Sequence, residues 1–280
     1  MMSVEFADDI ESYARAVTAF LERDPVRCTV PLSVIANARN GLVDTFTGSW
    51  VTGDDGAVVG AASWTPPYEL LLTPMPVAAA LAVADAWVVR FGTDLTGVVG
   101  PHEVAHACVQ RLADLTDREP RERFAERLFR LDAVIDPPAP PGAGRRTTEE
   151  DFDVAVKWCD AFVEETGVTR GRDPEREVHA RISDSRLHLW ALDGRPVSLV
   201  GTGVSVAGVT RVGPVYTPPA ERGHGFARAL VAAVSQERLE SGDQACCLFT
   251  DLANPVSNAI YQQIGYRPIG DYAQLNLVTT

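Results

Sequence analysis

No uninterrupted apolar run in the chain approaches the ~18–20 residues that a membrane-crossing helix needs. Its five cysteines (Cys28, Cys108, Cys159, Cys246 and Cys247) contain no C-x-x-C pair and no ligand-like spacing. The first absence argues against a helical span. The second argues against a disulfide framework or a zinc ribbon and leaves the cysteines as small core residues. Positive charge is in deficit, with 25 Lys and Arg against 38 Asp and Glu for a formal net charge of −13. Such a balance disfavours nucleic acid as a partner and mildly attracts cations, amines among them. The first residues, Met-Met-Ser-Val-Glu-Phe-Ala-Asp-Asp, carry acids where a secretory signal carries a positive region. A cytoplasmic protein without a membrane partner is expected.

At 280 residues the chain exceeds the ~100–200 of a usual domain, and its 46% hydrophobic and 22% charged content is that of a globular protein. The clearest boundary is Asp136-Pro-Pro-Ala-Pro-Pro-Gly-Ala-Gly144, where proline disfavours helix and central strand alike. Two domains are predicted, 1–136 and 145–280, joined by a linker at 137–144.

In the first half, apolar periodicity predicts a helix over 10–21, a hairpin of 45–52 with 57–64, and a helix from Pro76 to about 91. A short strand at 96–100, a helix to about 115 and a strand at 124–134 follow. The second half reads as helices at 149–165 and 174–183, then three strands at 186–192, 196–206 and 209–216, the first two flanking an Asp193-Gly194 turn. A helix over 225–240, a strand over 245–250, a helix over 255–264 and a last pair of strands at 266–269 and 274–278 complete it.

The chemistry concentrates in Val215-Tyr-Thr-Pro-Pro-Ala-Glu-Arg-Gly-His-Gly-Phe-Ala227, a strand end, a turn, a glycine loop and a helix start in one stretch. Gly223 and Gly225 allow close backbone approach, and the unpaired N–H groups of the helix start face an anion together with the positive end of the helix dipole. Arg222 adds charge beside them, while Phe226 and Leu230 turn inward and Arg228 outward. His224, between the glycines, reads as solvent-facing or as a further phosphate contact. Downstream, Asn254 before Pro255 is a well-formed helix start, and Asn254, Asn258 and Tyr261 fall near one another on one face.

Arg222-Gly-His-Gly-Phe-Ala227 resembles the R/Q-x-x-G-x-G/A signature of the GNAT superfamily of N-acyltransferases. Asn254-Pro255, Asn258, Tyr261 and Gly265-Tyr266 resemble its second motif, and Val-Tyr-Thr-Pro-Pro looks like the branch related to glycine N-acyltransferases. The resemblance covers about the last 135 residues. It implies an α/β fold with a mixed, twisted sheet flanked by helices, splayed after its fourth strand to hold acyl-coenzyme A. Val215, Tyr216 and Thr217 would pair with the pantetheine arm. Residues Arg222, Gly223, His224, Gly225, Phe226, Ala227 and Arg228 would hold the pyrophosphate, with Asn254 and Asn258 on the other side of the cofactor. The implied reaction is transfer of an acetyl group from acetyl-coenzyme A to a primary amine of a small molecule or peptide by direct attack, by a monomer or homodimer. Tyr261 would be the acid for the departing thiolate, and a backbone N–H near Val215 the oxyanion donor. The fourth strand carries no acid, which leaves Glu164, Glu165 and Asp251 as weak choices of base. A coenzyme A sensor without turnover is the alternative. His188 and Trp190, alternating with Leu187 and Leu189, either line a cleft or cover one sheet face.

The first half looks like a degenerate second copy. Thr96-Gly-Val-Val-Gly-Pro-His-Glu-Val-Ala-His-Ala107 gives a strand, a glycine turn and a helix without an Arg-Gly-x-Gly cradle. His102-Glu103-Val104-Ala105-His106 also spells the H-E-x-x-H of zinc hydrolases. It opens a helix directly after Gly100-Pro101, however, and Cys108, Asp114 and Glu119 offer no convincing third ligand. No metal is expected.

Overall fold

A computed structural model describes residues 2–169 and 173–279. Strand β1 (Ser3–Ala7) leads into helices α1 (Ile10–Leu21) and α2 (Thr29–Arg39), strands β2 (Thr47–Thr52), β3 (Val58–Trp64) and β4 (Leu70–Leu72), helix α3 (Val77–Phe91), strand β5 (Gly97–Pro101), helix α4 (His102–Thr116) and strand β6 (Glu119–Leu131). The same order then recurs. Strand β7 (Ala143–Arg146) is followed by α5 (Phe152–Thr166) and α6 (Pro174–Ser183), then β8 (Leu187–Leu192), β9 (Arg195–Thr202) and β10 (Val209–Tyr216), α7 (Phe226–Glu240), β11 (Ala245–Asp251), α8 (Pro255–Ile264) and β12 (Arg267–Val278).

Local chemistry accounts for the element ends. The Asp9 side chain accepts from the Ser12 N–H at 2.8 Å and opens α1, whose Tyr13, Ala14, Val17 and Leu21 recur at helical spacing and are buried. Asp173 caps α6 in the same way, accepting from the Arg176 N–H at 2.9 Å with Pro174 at the first helical position. Gly142 is demanded by space as well as by its φ of +100°, because a Cβ there would meet the Ala191 carbonyl oxygen at 2.3 Å. That close approach lets β7 pair with β8, Ala143 opposite Ala191.

The chain forms two compact units that do not divide at 137–144. One comprises Met1–Leu128, Phe249–Asn254 and Ile269–Thr280, the other Phe129–Leu248 and Pro255–Pro268. In the first unit β1, β2, β3 and β4 are antiparallel neighbours, β4 runs parallel to β5, and β12 pairs antiparallel with β5 from Tyr272 opposite Pro101 to Asn276 opposite Gly97. Ala273, Leu275 and Leu277 of β12 are buried in one cluster with Leu70, Leu72, Trp87, Val98 and Leu112. In the second unit β7, β8, β9 and β10 are antiparallel and β10 runs parallel to β11. Its sheet is covered on one face by α7 and α8, through Phe226, Leu230, Val234 and Ile264. On the other face α5 and α6 pack Ala155, Trp158, Val178 and Ile182 against Leu187, Leu189 and Leu199.

Three readings of the sequence need correction. The expected last pair of strands is one continuous strand, β12, since nothing in Arg267–Val278 turns the chain. Ala143 and Gly144 of the supposed linker belong to β7, where small residues admit the close pairing just described. Strands β1, β4 and β7 and helix α2 were not legible, being short or, in α2, opened by Thr29-Val-Pro31 without a side-chain cap.

Candidate active site

Strand β10 changes partners along its length. Val209, Thr210 and Arg211 pair in parallel with Ala245, Cys246 and Cys247 of β11, and the ladder goes no further among the described residues. Beyond it β10 keeps only its antiparallel partner β9, with a register shift between Val212 and Val215 that sets one extra residue on β10. Pro214 sits in that bulge and has no N–H to donate to a ladder. The strand is thereby re-aimed, and Val215 and Tyr216 rejoin β9 opposite Val200 and Leu199.

The strand end is tied down by side chains. The Ser198 hydroxyl lies 3.2 Å from the Tyr216 carbonyl, to which it donates, and 2.8 Å from the Thr217 hydroxyl. The Thr217 carbonyl accepts from Arg222 Nε at 2.9 Å, so the loop folds back on the strand it leaves. Arg222 also reaches Glu165 at the end of α5, its Nη2 lying 2.5 Å from Oε2, while the Tyr216 hydroxyl donates to Glu165 Oε1 at 3.3 Å. Burial, and next the Glu165 carboxylate, hold the Tyr216 phenol above its usual range.

Gly223 and Gly225 then adopt φ of +81° and +83°, a region that side-chain-bearing residues rarely enter. Gly225 is the N-cap of α7 and has no side chain to offer, so the first N–H groups of a fifteen-residue helix are left to an anion or water. A Cβ on Gly223 would meet nothing within 4 Å, and one on Gly225 only Arg228 at 3.5 Å, so the loop's outer side is open. His224 is exposed, stacked on Phe226 with ring centroids 5.5 Å apart, its Nδ1 3.3 Å from the Glu221 carbonyl oxygen. Phe226 is buried at 4% exposure and anchors the helix start, with Ala227 half-buried after it.

Residues 191–274 match the model of the family described as FR47-like protein. Among solved structures, a GCN5-related N-acetyltransferase from Sphaerobacter thermophilus superposes with a TM-score of 0.67 at 16% identity, over 99% of this chain and 96% of that one. An acetyltransferase from the GNAT family from Colwellia psychrerythraea gives 0.63 at 10% identity, over 99% and 100%. A tandem GNAT protein from the clavulanic acid biosynthesis pathway gives 0.55 at 13% identity, over 99% and 98%. No curated protein sequence matches significantly. The chain has the GNAT fold. The mixed α/β architecture expected from the sequence is the one found.

Within this GNAT fold, Tyr261 lies on α8 and is buried at 9% exposure, its ring 6.5 Å from that of Phe129 and 6.0 Å from that of Tyr266. It shares one apolar cluster with Phe226 and with half-buried Val215, which links α8, the start of α7 and the end of β10. Burial raises its phenol to about 12, so it keeps its proton throughout the neutral range. Asn258, one turn earlier, is half-buried, and Asn254 is exposed just before α8, its N–H donating to the Asp251 carbonyl at 3.1 Å. Arg228 differs from the outward reading given by helical periodicity. It is half-buried, with Nη1 donating to Gln263 Oε1 at 2.9 Å and Nε buried without a hydrogen-bond partner among the described residues.

The three acids left open by the sequence now separate. Glu164 lines an outer groove with Lys157 and Asp160, and Asp251 accepts from the Ala253 N–H at 2.8 Å. Glu165 meets Tyr216 and Arg222. His188 and Trp190 face α7: Trp190 joins its apolar cluster, and buried His188 Nε2 lies 3.4 Å from Glu237. Burial lowers the His188 pKa, outweighing the opposite pull of Glu237.

Proposed function

We propose that the second unit is an N-acetyltransferase that moves the acetyl group of acetyl-coenzyme A onto a primary amine of a small molecule or peptide. What carries this reading is the pair of left-handed glycines opening α7 beside a strand, β10, that leaves its parallel partner after Arg211. One feature supplies unpaired N–H groups for a pyrophosphate. The other supplies strand edge for an amide-bearing arm. Val215, Tyr216 and Thr217 would present that edge, and Arg222, Gly223, His224, Gly225, Phe226, Ala227 and Arg228 the phosphate cradle.

In the reaction the amine lone pair attacks the thioester carbonyl carbon, the C–N bond forms, and the C–S bond breaks. The Val215 N–H holds the developing oxyanion, and the departing thiolate takes the phenolic proton of Tyr261. The surplus proton on nitrogen passes to Glu165 and from there through water to the Tyr261 phenolate, so that both groups regain their starting protonation. Arg222 pairs with Glu165. A bound phosphate competes for the same guanidinium, so donor binding leaves Glu165 without its counter-ion beside Tyr216.

The first unit reads as a degenerate copy of the same fold. In its repeated element order the counterpart of the cradle is the connection between β4 and α3, not the 96–107 stretch singled out by its glycines, which matches β11 and α8 in order. That connection, Thr73-Pro-Met-Pro76, has no glycine and two residues without N–H.

A coenzyme A sensor without turnover is the second reading, favoured by the lack of a carboxylate on β10 itself. Thiol release from acetyl-coenzyme A in the presence of a panel of amines separates the two. Release above the amine-free rate supports the enzyme, whereas tight binding with no release for any amine supports the sensor. Absence of binding defeats both.

A further inference from the structure

The H-E-x-x-H spelling in the first unit acquires in the fold what the sequence did not give it. His102 and His106, four residues apart on α4, place their rings 4.3 Å between centroids on one side of the helix. Glu122, on β6, brings Oε2 to 3.1 Å from His106 Nε2. One donor atom from each of the three lies within 4.8 Å of the others.

We propose that His102, His106 and Glu122 form a binding site for a divalent transition-metal ion of the zinc class. Around such an ion, with Zn–N and Zn–O bonds of about 2.0–2.2 Å, tetrahedral donors sit roughly 3.3 Å apart. The three side chains are exposed or half-buried, and closing from within 4.8 Å to that spacing asks for side-chain rotation. Two imidazoles and one carboxylate suit zinc, cobalt or nickel better than magnesium or calcium, which prefer all-oxygen shells. Three protein donors leave a fourth position open.

An ordinary surface ion pair between His106 and Glu122 would not require His102, whose ring lies against that of His106 at an interplanar angle of 39°. Bound metal clips α4 to β6 inside the first unit, a role independent of acyl transfer. Glu103 lies exposed in the first turn of the helix, so the spelling is absorbed by binding without any hydrolytic step.

The test is calorimetric titration of the untagged, chelator-treated full chain with zinc chloride, repeated on the double variant His102→Ala with His106→Ala and on Glu122→Gln. Because the three side chains lie at the surface, circular dichroism is expected to show all variants folded. One equivalent bound by the wild type is expected, with affinity reduced at least about tenfold in Glu122→Gln, a loss that even an outer-shell partner brings. The double variant is expected to show no saturable binding. A parallel Co(II) spectrum should show nitrogen and oxygen ligation without a thiolate band, which separates this site from the cysteines. No saturable binding by the wild type, binding unchanged by either substitution, or a thiolate band would overturn the proposal.

Discussion

If Gly225 matters because a phosphate lies against it, two substitutions at that position must diverge in affinity while agreeing in stability. Gly225 has φ +83°, so Ala or Glu there pays the same left-handed strain of about 1–2 kcal/mol. Neither meets a steric block, since the added Cβ finds only the Arg228 guanidinium at 3.5 Å. The charge is what differs. A carboxylate roughly 6 Å from one phosphate charge repels it by about 2.8 kcal/mol at an effective dielectric of ~20. Halving that for an open, salt-screened loop leaves ~1.4 kcal/mol, a tenfold loss, and two phosphates bring the loss to roughly 100-fold. Calorimetric titration with acetyl-coenzyme A, alongside thermal melts, reads both quantities. Equal melting temperatures with a Kd at least tenfold weaker for Gly225→Glu than for Gly225→Ala are expected. Equal Kd values would refute the placement of the pyrophosphate at this loop.

Tyr261→Phe keeps the buried ring and removes only the proton donor. Thiol release at saturating substrate should fall about 100-fold with KM for acetyl-coenzyme A unchanged, and a kcat within twofold of wild type would remove Tyr261 from the chemistry. Stability should decline in alkali. Burial raises the thiols of Cys108 and Cys246 and the phenol of Tyr261 to about 12, above the 9.0 and 10.0 of the unfolded chain. Their contribution is therefore complete below about pH 9 and is lost as pH rises toward 12, which urea unfolding at stepped pH would follow; a midpoint constant across that window would contradict it. Leu275→Ala, at a position 2% exposed in the first unit's core, should cost about 2–5 kcal/mol by denaturant unfolding. Hydrogen exchange should locate the loss in Met1–Leu128 as well as in the last strand, and protection unchanged in β5 would count against the pairing.

The strongest local signals survived because their causes are local. The bounds Ile10–Leu21, Val209–Tyr216 and Pro255–Ile264 coincide with the elements found, each set by a cap, a proline or a run of β-branched residues. The glycine loop was legible for the same reason, since few residue types accept φ near +80°. What escaped depends on distant partners. Arg228 reads as wet from helical periodicity but is drawn inward by Gln263 on another helix. Glu165 has no motif around it, and only the fold brings it to Tyr216 and Arg222. Spacing points to Glu119, whereas the fold brings Glu122 to the two histidines, because a strand's reach back to α4 is not written in spacing. The interleaved units could not be anticipated from a proline-rich stretch, because nothing in Ala273-Gln-Leu-Asn-Leu277 names β5 as its neighbour.

The place of β12 in the first unit also sets a clock. About 140 residues separate Leu128 from Ile269, and synthesis at roughly 5–20 residues per second takes on the order of 7–28 s to cover them. Throughout that interval β5 waits with an unpaired edge, and the pocket for Leu275 and Leu277 stands open to water. The half of the protein made first is thus the half finished last. A nascent chain halted before Ile269 exposes an adhesive strand edge that the completed molecule never shows.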